Sequence, residues 1–112
     1  MATITLLPLF EPLQLASAAS PLFTATAPIR IDKLTVTNTD TAAHTVSFYW
    51  VSAGGAFSVA NLLVAARPLQ VNESWDAQPF MGHVLSEGDQ LFGMASVGGV
   101  VNCFGSGVQV SP

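Results

Sequence analysis

The feature that most constrains this sequence is a rhythm of two. Over residues 44–52, Val46, Phe48 and Trp50 fall on one side of an extended chain, and Thr45, Ser47, Tyr49 and Val51 on the other. Strand side chains alternate between faces, so this stretch is a β-strand with one face for a core, and Phe48 and Trp50 are expected inside it. Further strand-length runs lie at 2–7, 13–15, 29–37, 69–75, 80–85, 90–96, 100–104 and 108–110. Between them sit clusters of Asn, Asp, Gly and Ser, at 38–41, 53–55, 87–89 and 97–100, whose chemistry favours turns. In the last of these Gly98-Gly99 is expected to close a hairpin between the strands on either side, since glycine supplies the positive φ such loops need. Residues 58–66 are ambiguous. Ala60, Leu63 and Val64 fit a helical stripe with Ser58 as N-cap, and a strand fits equally.

Seven to nine short strands with regular turns predict an all-β fold, an antiparallel β-sandwich or small β-barrel. No stretch repeats at a fixed period, which excludes propellers and solenoids. Two irregularities are expected. The apolar phase slips by one between Ile29/Ile31 and Leu34/Val36, so a bulge or break belongs near Asp32 and Lys33. Gly105-Ser106-Gly107 should bend or bulge the last strand, and Pro112 should end its pairing.

With 112 residues the chain is one domain, divided by composition into residues 1–28 and 29–112. The first part holds four of the seven prolines and one charge, Glu11. It is either an extended N-terminal arm lying on another surface or a pair of edge strands, since proline is tolerated at sheet edges. The arm reading makes Ile4, Leu6, Leu7, Leu9, Phe10, Leu13 and Leu15 interface residues. Tyr49 and Trp75 join them, because Tyr49 faces away from the core and aromatic side chains dominate binding hot spots.

Charged residues make up 9% of the chain and hydrophobic ones 50%. An average domain has ~25% charged residues. So few charges leave little to dress a monomer's surface, and a homo-oligomer is expected. Arg30, Lys33 and Arg67 are the only basic side chains against seven acidic ones, too few to hold a phosphate backbone, so no nucleic-acid partner is expected. No window reaches the ~20 apolar residues of a membrane-spanning helix. The N-terminal run lacks a basic flank and is broken by Glu11 and two prolines, so it is not expected to be a signal peptide.

Candidate chemistry is sparse. His44, His83, Met94 and Cys103 are the ligand types of a blue-copper site, but both His83 and Met94 precede the cysteine and no ligand follows it closely. No short spacing suits zinc. Cys103 and Met94 are expected instead as core residues of adjacent strands. Ser106 lies in a glycine turn and not in a nucleophile elbow. Glu73/Asp76 and Glu87/Asp89 could pass for catalytic carboxylate pairs, yet both lie in expected turns. No enzymatic activity, cofactor or metal is expected.

The strings Leu34-Thr35-Val36-Thr37-Asn38-Thr39, Gly54-Gly55, Val84-Leu85 with Gly88-Asp89, and Ser106-Gly107-Val108 resemble small β-sandwich virion structural proteins of tailed bacteriophages. There an LTVTNT strand, a GG turn, a VL..GD turn and a terminal SGV strand recur. The likeness covers about two-thirds of the chain and leaves out residues 1–28. It implies a capsid decoration (minor capsid) protein, a homotrimer in the first instance, made in the host cytoplasm and resident in the virion. Such a protein would bind a major capsid protein or other virion protein. A tail, baseplate or fibre-attachment component is the alternative within that class. A carbohydrate-binding module carried by Trp75 and Tyr49 is the alternative outside it.

Overall fold

The computed structural model describes residues 3–56 and 58–111; Met1, Ala2, Phe57 and Pro112, with the expected stop at Pro112, lie outside them. The alternating runs become ten strands in two antiparallel sheets. One sheet has the order β1 (Thr3–Pro8), β10 (Val101–Ser111), β4 (Ile29–Asn38), β7 (Ser74–Asp76). Within it β2 (Leu13–Gln14) also pairs with β10, and β8 (Val84–Leu85) with β4. The other has the order β3 (Ser20–Thr24), β9 (Gln90–Ala95), β5 (His44–Val51), β6 (Leu62–Leu69).

Four of the ten are halves of two longer edges. Leu9 N–H donates to Gly105 O and Leu15 N–H to Val101 O, both at 2.9 Å, so β1 and β2 form one interrupted edge along β10. Ala77 N–H to Leu34 O and Gly82 N–H to Ile31 O, both 2.7 Å, join β7 to β8 along β4 in the same way. Eight strand positions remain. Every connection between them crosses from sheet to sheet except the one joining β5 to β6. That wrapping is the jelly roll, a sandwich of two Greek keys.

The central pair is β4 with β10, and the phase slip is its bulge. Ser106 pairs with Lys33 and Gly107 with Ile31, leaving Asp32 as the extra residue. Ile29 and Ile31 before the bulge, and Leu34 and Val36 after it, all turn into the core. A Cβ on Gly107 would lie 2.4 Å from Arg30 O, so only glycine lets β10 approach here. Between the sheets, the Phe48 and Phe80 rings meet edge to face at 5.9 Å, a favoured aromatic geometry. Gly93 leaves the inner face of β9 open for Phe48, since a Cβ there would lie 2.9 Å from its ring atoms.

Several elements differ from the sequence reading. The ambiguous 58–66 is both things: a 3-10 turn at Val59–Asn61, capped by the Ser58 side chain, runs directly into β6. The expected strand 69–75 is split between β6 and β7, because Asn72 takes a positive φ of 62° and Glu73 accepts the Gln70 N–H at 2.7 Å. The expected strand 80–85 shortens to β8, preceded by a 3-10 turn at Gln78–Phe80 that Pro79 initiates. Trp50 is half-buried and Val51 is fully buried in its place, after the β5–β6 register shifts beside Phe48. Met94 is not a core neighbour of Cys103. It lies in β9 between buried Gly93 and Ala95, on the outer face of the opposite sheet.

Two buried polar residues hold the loops. The Asn38 amide nitrogen donates to Ala42 O at 2.9 Å and faces Leu69 O and Gln70 O at 3.2 Å, and its oxygen accepts the Asp40 N–H at 3.0 Å. At the other end, Asp89 accepts from Ser86 N–H, Ala53 N–H and Trp50 Nε1 at 3.0, 3.1 and 3.3 Å. Beside Asn38, the Asp40 carboxylate meets His44 Nε2 at 2.7 Å and accepts the Thr41 N–H at 2.7 Å. The histidine bond first, and the backbone bond second, hold the Asp40 carboxyl below the usual carboxylate range.

Gly107→Ala should cost on the order of 1–3 kcal/mol in denaturant melts, the usual range for forcing a methyl into filled space. The Asp40 contacts favour the charged form in the fold, so their contribution is present above the ordinary value of 3.8 and is lost as pH falls below it. In thermal melts the wild type should therefore exceed Asp40→Asn at neutral pH, with the difference closing in acid.

Candidate functional site

The outer face of the β1-β10-β4-β7 sheet changes character along its length, and the bulge marks the change. Beyond the bulge the outward positions are polar and cross-linked. Gln14 bonds Asn102 at 3.2 Å, the Thr37 and Ser74 hydroxyls meet at 2.8 Å, and Thr35 Oγ1 donates to Asp76 at 2.6 Å. Lys33 Nζ also reaches Asp76, at 3.6 Å. Phe104 stands 41% exposed among them.

Before the bulge the face is apolar. The strand register aligns Leu6, Val108, Arg30 and Val84 in one row across four strands, with Ile4 opposite Val110 beside it. Ile4 is 70% exposed, Leu6 79%, Val84 51% and Val110 41%. With Pro28 and Ile29 they line a groove of about 510 Å³. Arg30 is the groove's charge, and its Nε is neutralised by Asp32 Oδ1 at 2.8 Å.

Of the nine expected interface residues, Ile4 and Leu6 lie on this face. The others do not. Leu9 and Leu15 are buried in the domain's own core, which removes them as contact residues, and Leu7, Phe10 and Leu13 pack against that core. Trp75 pairs with the inward-facing Val36, packs against the core and carries the Arg67 guanidinium 4.7 Å over its ring. Tyr49 pairs with Phe92 on the outer face of the other sheet. Trp75 and Tyr49 therefore share no platform on which a sugar could stack. Val84, Val108 and Val110 were missed. The signal for them was in the alternation of β10 and β8, but it becomes readable only once Arg30 is known to face outward.

The ligand-type side chains are likewise dispersed. His44 is bound to Asp40, His83 packs edge to face on Trp50 at 5.1 Å, Met94 is on an outer face, and Cys103 is buried opposite Val36. Among the described residues no three of His, Cys, Asp and Glu gather as metal ligands would. Of the carboxylate pairs, Glu73 and Asp76 are engaged by Arg67 and Lys33, both at 3.6 Å, and Asp89 is the loop fastener. No helix of the described residues is long and apolar enough to cross a membrane.

Burial pushes the Cys103 thiol up to about 12, so at neutral pH it is a protonated, inert group. A disulfide exchange reagent at pH 8 should leave it unmodified in the native protein and titrate it stoichiometrically after denaturation. Rapid native labelling would contradict the core placement.

No family model and no curated protein matches the chain. Among solved structures, one described as infectious bursal disease virus, Gx strain, superposes with a TM-score of 0.48 at 12% identity, over 98% of this chain and 32% of that one. Another, the VP2 subviral particle of infectious bursal disease virus, gives 0.47 at 13% identity, over 97% and 32%. The chain spans about a third of the length of either, and both superpositions are loose.

Proposed function

We propose that this chain is a non-enzymatic structural protein of a virus particle, of the bacteriophage capsid-decoration kind. It binds the shell as an oligomer, a trimer by the sequence resemblance, and stabilises it. The observation that carries this reading is the apolar end of the outer sheet face, where four large side chains stand 41–79% exposed on a rigid jelly roll. A patch of that kind is a mark of protein contact.

Other features agree. Each of the three basic side chains is within 2.8–3.6 Å of a carboxylate, which leaves little cationic surface for nucleic acid and supports a protein partner. The buried thiol and the hydrogen-bonded loops suit a durable particle component. Jelly-roll sandwiches recur in viral capsid domains, and also in lectins and cupins, so the topology by itself assigns nothing. The resemblance in the β4, β8 and β10 strings is what selects the virion among these. The same surface would serve a tail or baseplate position, and the place in the particle separates the two.

Purified protein should co-sediment with particles that lack it, and particles carrying it should resist heat better than bare ones. Val84→Asp puts a charge in the groove at a position 51% exposed in the fold, so it should abolish co-sedimentation and leave the melting temperature unchanged. Wild-type protein that stays in the supernatant, or a Val84→Asp variant that binds as well, would overturn the proposal.

A further inference from the structure

A β-sandwich has four sheet edges, and each is a row of backbone groups open to another strand. Three of the four are guarded here. β7 is three residues long and carries Asp76. β3 carries Pro21 and a register shift beside it. β6 carries Arg67 and Pro68 and is kinked by the positive φ of Ala66, 46°. The fourth, β1, is six residues long and has no charge and no bulge, with Pro8 only at its end. Its apolar side chains are the most exposed on the sheet.

The ladder settles which groups β1 leaves open. Leu9 N–H donates to Gly105 O, its register partner, so Leu9 is a hydrogen-bonded position of the antiparallel pair. Such positions alternate with period two. Residues 3, 5 and 7 therefore spend their backbone groups on β10. The N–H and C=O of Ile4 and Leu6 point to the free edge, and at Pro8 only a carbonyl does.

This pattern is self-complementary. A second β1, antiparallel and related by a two-fold axis at Thr5, sets Ile4 opposite the partner's Leu6 and Leu6 opposite the partner's Ile4. Both are hydrogen-bonded pairs, so the N–H and C=O groups of all four residues find partners. A shift by two residues in one direction brings in Pro8, which cannot donate, and a shift in the other no longer sets Ile4 against Leu6. The axis also joins Ile4, Leu6, Val108 and Val110 of one copy to the same residues of the other in one apolar band on the outer face.

We infer that β1 pairs with β1 of a second copy of this chain about a two-fold axis at Thr5, fusing two sheets into one. The contact needs nothing beyond the chain itself and stands whether or not the protein belongs to a virion.

Thr5 meets its symmetry mate at a non-hydrogen-bonded position, where Cα atoms of paired strands lie ~4.5 Å apart. That distance is within disulfide range. Under mild oxidation Thr5→Cys should cross-link quantitatively to a dimer. Thr3→Cys, off the axis, should not, and Cys103 is buried and takes no part. Leu6→Pro removes one outward N–H and leaves the bonds to β10 in place, so it should convert a dimer in light scattering to a monomer with an unchanged melting temperature. A wild type that is monomeric would overturn the inference. So would a closed trimer, which has no two-fold axis, a dimer in which Thr5→Cys fails to cross-link, or one that Leu6→Pro does not dissociate while still folded.

Discussion

One inserted residue organises the large sheet. Asp32 has no partner on β10, and the strand absorbs it by bulging beside Gly107. Without it the alternation of β4 would run unbroken, and either Ile29 and Ile31 or Leu34 and Val36 would face water. Burying all four is worth several kcal/mol by area, so the bulge is favoured although it forfeits a ladder position. It also turns Arg30 and Lys33 to the same side across the step. The outer face is thereby divided into a hydrogen-bonded polar half and an apolar half, and the apolar half is the surface on which the proposed assembly rests.

The strands that carry this arrangement were legible where alternation was strict. The bulge at Asp32 and the strand beginning at His44 could be read from spacing. The hairpin expected at Gly98-Gly99 could not: the turn is there, with a positive φ at Gly99, but it carries the chain from β9 in one sheet to β10 in the other, because neither strand takes the other as its neighbour. Boundaries between Leu62 and Leu85 were not, because Asn72 and Pro79 divide apolar runs whose composition alone looks continuous. Trp50 and Val51 exchanged places because a register shift against a neighbouring strand is a property of two strands, and no single segment encodes it.

The candidate surface was half visible. Ile4 and Leu6 stood out as apolar residues in a proline-rich segment, and so did Leu9 and Leu15, which belong to the core. Composition cannot separate these groups, since both are leucine and isoleucine beside proline. Only the pairing with β10 assigns faces to them. Asn38 and Asp89 gave no advance sign either: their value lies in reaching backbone groups of distant loops, and Asn and Asp in turns are ordinary.

The jelly roll sets β1 and β2 against β10, and β3 against β9. Residues 3–14 are thus held by residues 101–111, and Ser20–Thr24 by Gln90–Ala95. Until those distant strands are in place Leu9 and Leu15 have no core to enter. Loop closure of that length makes folding slow. For that interval the β1 edge stands open to other unfolded chains, so the same pairing that completes the sandwich also sets how long its most exposed edge goes unguarded.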